Sequence, residues 1–187
     1  MPSLASNGFL SPGRHPTSLG DVEATFVNAA MFGASSTRRD VWHGFLDYLA
    51  AWQAAEEAVD AVVLRAIWLG GSFISAEMHP ADLDVSPIYD AAVLESLTGK
   101  AGVGDLKRLF GHRKKMVLTH KVEPFALPWR PIASTLFPER LSGEERDILS
   151  QRGGLDSWWG RTRPPGPRRM PELPVDVAER GYLEVIL

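Results

Sequence analysis

The chain has 187 residues, a formal net charge of -3, 44% hydrophobic and 23% charged side chains, and no cysteine. Length and composition fit one globular domain with a sizeable core, and the missing cysteines exclude disulfides, thiolate metal sites, iron–sulfur clusters and a cysteine nucleophile. No apolar run approaches the roughly 20 residues of a membrane helix, and the first residues lack a signal pattern, so a cytoplasmic protein with no membrane partner is expected.

Residues 1–20 are rich in Pro, Gly and Ser and read as an extended arm, followed by a single domain over 21–187. Residues 21–58 read as helical, with Thr37-x-x-Asp40 as a capping box. Val41, Phe45, Tyr48/Leu49 and Trp52 recur at the spacing of one buried helix face. The period then changes. Ala61–Leu69 is short, apolar and rich in branched side chains, as a buried strand is, and Gly70-Gly71 ends it. Asp82–Tyr89 alternates polar and apolar residues like a second strand. Ala91–Leu97 and Val103–Phe110 suit helices, and Met116–Leu127 suits a third extended segment. Ser142-x-x-Glu145 opens a capped helix to about Arg152, five prolines punctuate 164–174, and Tyr182–Leu187 closes the chain as a strand at a sheet edge or in need of a partner. The expected fold is α+β, a mixed sheet with helices mainly on one face.

Chemistry concentrates in Trp68–Val85, WLGGSFISAEMHPADLDV. Alternation along a strand sends Asp82 and Asp84 to one face and Leu83 and Val85 to the other. Neighbouring carboxylates repel unless a cation lies between them, and an all-oxygen donor pair suits Mg²⁺ or Mn²⁺. Gly71 lets a phosphate approach the backbone, and Ser72 offers its hydroxyl and N–H to it.

Gly71-Ser72 followed by Asp82-x-Asp84 resembles the signature of the nucleotidyltransferase superfamily with polymerase-β-like folds. More closely, the chain is similar to a branch of small stand-alone bacterial and phage proteins with a minimal nucleotidyltransferase core. LSPGRHPTSLGDVEATFV, STRRDVWHGF, WLGGSFISAEMHPADLDV, SWWGRTR and RGYLEVIL carry that likeness along nearly the whole chain. The resemblance implies a nucleotidyltransferase-like sheet and transfer of a nucleoside monophosphate from an NTP to an acceptor such as tRNA or protein. It implies a divalent ion, Mg²⁺ or Mn²⁺, held by Asp82 and Asp84, and a third carboxylate on a later strand, for which Glu123 is the candidate. Arg38, Arg39, Lys114, Lys115, Arg161 and Arg163 are candidates to touch the triphosphate or the acceptor. Small stand-alone members often act as toxins of toxin–antitoxin or phage-conflict systems, which adds a cognate antitoxin or inhibitor as an expected partner. One residue departs from the pattern: Glu77 stands where the branch carries a lysine. A degenerate fold that binds a nucleotide or protein without turnover is the alternative.

The remaining candidates have plainer readings. Residues 1–100 hold 12 acidic and 5 basic side chains, whereas Lys and Arg cluster in 107–121 and 152–169, as solvated faces or as receivers of phosphate. The six tryptophans read mainly as core, and Trp158-Trp159 beside Arg161 and Arg163 also suits base stacking. The five histidines show no metal-ligand spacing, and His79 reads as a capping residue.

Overall fold

The computed structural model describes residues 2–132, 136–162 and 179–187; Arg163 and the proline-rich 164–174 lie outside the described residues. Strand β1 (Gly13–Thr17) leads through helix α1 (Leu19–Phe26), a 3₁₀ turn at Ala30–Phe32 and helix α2 (Arg38–Val59) to β2 (Leu64–Gly70) and β3 (Leu83–Asp90). Helices α3 (Ala91–Ser96), α4 (Val103–Gly111) and α5 (Arg113–His120) follow. Strands β4 (Val122–Pro124) and β5 (Leu127–Trp129), helix α6 (Gly143–Trp159) and strand β6 (Gly181–Ile186) complete the order. The strands form one six-stranded sheet, β1-β6-β2-β3-β4, with β5 also beside β3. It is mixed: β6 runs parallel to β1 and antiparallel to β2, and β3 runs antiparallel to β2 but parallel to β4 and β5. The fold is α+β.

The helical periodicity of α2 holds. Val41, Trp42, Phe45, Tyr48, Trp52, Ala55 and Val59 form its buried face. The helix does not begin at residue 21, however. The chain leaves α1 after Phe26 and restarts at Arg38, and Thr37 makes no side-chain capping bond. Ser35 does that work instead, its Oγ accepting the backbone N–H groups of Thr37 and Arg38 at 3.3 and 3.2 Å. The capping box at Ser142 and Glu145 forms as expected, and α6 continues past Arg152 to Trp159.

The expected extended segment Met116–Leu127 holds only from Val122 onward, in β4 and β5, and is overturned before that. Residues 113–120 are helix α5, with Met116 buried, and Lys121 turns the chain in the left-handed region at φ 55°. Its carbonyl accepts the Leu83 N–H at 2.8 Å, which starts β4 alongside β3. The edge position expected for the last strand is also overturned, because β6 sits between β1 and β2. Tyr182, Leu183 and Val185 are all buried, so both faces of that strand are covered, as an interior strand requires. Residues 13–17 of the expected arm are its parallel partner.

Helices cover both faces of the sheet. Ile67, Leu69, Leu83 and Val85 join Trp42 and Phe45 of α2 in the main core. Helix α6 lies on the other face, where the Trp159 indole Nε1 donates to Ser86 Oγ at 2.9 Å. A Cβ on Gly70 would stand 2.4 Å from that indole, so a bare glycine at the end of β2 is what lets α6 close down.

Candidate functional site

The sheet brings two of the expected residues, Asp84 and Glu123, into one row with Gly70. Gly70 on β2 lies opposite Asp84 on β3, and Asp84 lies beside Glu123 on β4. The turn after β2 folds against this row. Gly71 has φ +74°, and a Cβ there would come within 1.8 Å of Asp84 Oδ2. The carboxylate therefore rests directly on peptide backbone, an approach that only glycine permits. Ser72 follows, half-buried, with its carbonyl accepting the Ser75 hydroxyl at 2.7 Å and so closing the turn.

Asp84 is held in an unusual electrostatic state. Burial, then the charges of Asp82 and Glu123, push its carboxyl up to about 7, and Arg180 opposes them. Like charges gathered on a desolvated sheet end are costly, and a divalent cation would relieve them. Among the described residues, no group of three or more His, Asp or Glu side chains is arranged to hold a metal ion unaided. The donor chemistry nevertheless fits a hard ion that takes one or two carboxylates and completes its shell with phosphate oxygens and water. Asp82 and Asp84 are the residues that would hold it.

Two arginines border the row, and sequence reasoning missed both. Arg180, just before β6, donates from Nη1 to the Gly71 carbonyl at 3.3 Å and from Nε to the Trp159 carbonyl at 3.2 Å. Its only sequence signal is its place in RGYLEVIL. Arg113, at the start of α5, pairs with Glu123 at 2.5 Å and lays its guanidinium over the Phe125 ring at 4.1 Å. The basic run 107–121 contains it without marking it.

The other expected residues divide. Arg38 is 1% exposed, and its Nη atoms donate to the carbonyls of Phe26, Phe73, Ser75 and Glu77 while its guanidinium lies 3.7 Å from the Phe32 ring centroid. Burial lowers its pKa to about 10, with Glu77 opposing. It clamps the loop between β2 and β3 and is closed to a phosphate. Arg39 is an exposed residue of α2. Glu77 is exposed, its carboxylate accepting the His79 N–H at 3.3 Å, and His79 Nδ1 accepts the Ser36 N–H at 3.2 Å as a capping group. Lys114 and Lys115 are exposed on α5, next to Arg113. Arg161 bonds Ser157 and, with Arg180, lines a cavity of about 360 Å³ on the α6 side. Trp159 is core, whereas Trp158 is half-buried. None of the helices among the described residues is long and apolar enough to cross a membrane.

The chain belongs to a family of unknown function, DUF6932, whose model matches residues 2–186. No curated protein and no solved structure matches it.

Proposed function

We propose that the protein is a metal-dependent nucleotidyltransferase with a nucleotidyltransferase-like sheet, placing a nucleoside monophosphate from an NTP on an acceptor that is RNA or protein. The observation that carries this reading is the Gly70–Asp84–Glu123 row with the Gly71 turn packed on the Asp84 carboxylate. Asp82 and Asp84 would hold Mg²⁺ or Mn²⁺, which would supply neutralisation of triphosphate charge and Lewis-acid polarisation of phosphate oxygens. Gly71 and Ser72 present backbone N–H groups and a hydroxyl to a phosphate. Arg180 positions that turn through the Gly71 carbonyl. The acceptor oxygen bonds to the α-phosphorus, the bond to pyrophosphate breaks, and Glu123 takes the acceptor proton. A cytoplasmic toxin of a toxin–antitoxin or phage-conflict system, silenced by a cognate antitoxin, is the cellular role most in keeping with such a small core.

Incubation with labelled NTPs, Mg²⁺ or Mn²⁺ and total RNA or cell extract tests the reaction. Label transfer that disappears in the Asp82→Ala, Asp84→Ala double variant is expected. No transfer, or transfer that survives both substitutions, overturns the assignment.

A second reading rests on the Arg113–Glu123 ion pair, which already neutralises the third carboxylate. A degenerate fold that binds a nucleotide or protein partner without turnover would keep such a pair. Calorimetric nucleotide binding that needs no divalent ion, with no product formed, identifies it.

A further inference from the structure

A groove of about 610 Å³ opens beside the carboxylate row, between the α4–β4 side of the sheet and α6. Its walls include Phe110, Phe125, Leu155 and Trp158, with Arg113 and Gln151 as polar groups. It starts where the row stops: Pro124, the residue after Glu123, is part of the lining, and Arg113 both lines the groove and pairs with Glu123. Its aromatic walls are backed from behind. Phe110 stacks on Tyr89 at 4.7 Å and on Trp52 at 5.9 Å, and Phe125 meets the buried Trp159 edge-on at 5.3 Å. Aromatic rings lining one groove together with a guanidinium and a side-chain amide suit a planar heterocycle with a few hydrogen-bonding edges.

The charge around the groove indicates what carries that heterocycle. Lys114 and Lys115 are exposed beside Arg113 on α5, and residues 107–121 hold six Lys or Arg and no Asp or Glu. A basic helix flanking an aromatic groove complements a nucleobase with phosphates strung beside it. The half-buried Trp158 leaves part of its ring to the groove, unlike its buried neighbour Trp159.

We infer that this groove is the acceptor site and takes one unpaired base of a single-stranded RNA. The base stacks on Trp158, the neighbouring phosphates run along α5, and the reacting hydroxyl lies at the Glu123 end. The inference rests on the nucleotidyltransferase reading for its direction, but it concerns binding and is tested without turnover. The competing occupant, an aromatic side chain of a protein acceptor, has no use for the α5 cations.

The experiment is fluorescence anisotropy of a 5′-fluorescein-labelled ten-nucleotide RNA in EDTA, with no NTP. The wild-type chain should bind it with neither NTP nor divalent ion present. Trp158→Ala should weaken binding roughly 5- to 100-fold, the loss of one stacked base, and Trp158→Phe should recover most of it. Lys114→Glu with Lys115→Glu should lower the slope of log affinity against log salt by about 2. An abasic strand of the same length should lose the Trp158 dependence. Absence of RNA binding, duplex RNA bound as tightly as the single strand, or a folded Trp158→Ala that binds like wild type each overturns the inference. Binding with these dependences but no label transfer would leave the groove standing and remove the catalytic reading alone.

Discussion

Arg38 and Asp84 both hold charged groups largely away from solvent beside the loop that joins β2 to β3, and they are treated in opposite ways. Arg38 is surrounded by acceptors: four carbonyls take its Nη hydrogens, and an aromatic face covers its guanidinium. Asp84 is set among like charges, with Asp82 and Glu123 raising its pKa and Arg180 only partly opposing them. A buried charge whose terminal nitrogens are taken up by four carbonyls makes a scaffold. A carboxylate crowded by other carboxylates is held away from its ordinary titration range, and that separates the candidate site from the structure that carries it.

The largest way to break this contrast is at Arg38. Arg38→Met should destabilise the protein by about 3–5 kcal/mol in urea denaturation, because the carbonyls of Phe26, Phe73, Ser75 and Glu77 lose their donor together. A loss below about 1 kcal/mol would mean the clamp is ornamental. Gly71→Ala should cost about 2–4 kcal/mol, from the left-handed backbone and from the collision with Asp84, and label transfer should fall with it.

Asp84→Asn should act in the opposite direction. With the folded pKa raised from 3.8 to about 7, the native state holds its proton longer than the unfolded chain does. Stability without divalent ions should therefore fall as pH rises from about 4 to about 7, by on the order of 4 kcal/mol, and stay low above that. The asparagine variant should lose that decline and be the more stable protein at pH 8, while losing label transfer. A flat pH profile in the wild-type chain would erase the contrast with Arg38. The smallest effect belongs to Arg113→Ala. Its ion pair with Glu123 is half-exposed, so thermal or urea stability should change by less than about 1 kcal/mol.

What the sequence disclosed follows from how local each signal is. Gly70-Gly71-Ser72 and Asp82-x-Asp84 are contiguous, and strand alternation predicts a shared face for the aspartates, although β3 itself begins at Leu83, one residue after Asp82. The α2 stripe and the Ser142–Glu145 cap were legible for the same reason. Arg38 looked like a free cation because the carbonyls that claim it come from Phe26 and from residues 73–77. Helix α5 was hidden because its mean hydropathy is low and its end is set by Lys121, a lysine in a backbone region where glycine is the usual marker. Arg180 reaches Gly71 only through the pairing of β6 with β2, which no local pattern encodes.

The interior placement of β6 has a consequence in time. During synthesis, β2, β3 and the carboxylates exist long before Gly181 emerges, yet among the described residues β1 pairs with β6 alone, Gly13–Thr17 beside Gly181–Val185. Such distant pairing forms late and slowly. Arg180 arrives with it. A ribosome-bound or truncated chain would thus carry its acids with no arginine seated on the Gly71 turn, and competence for the reaction would begin only when the last strand slides into the middle of the sheet.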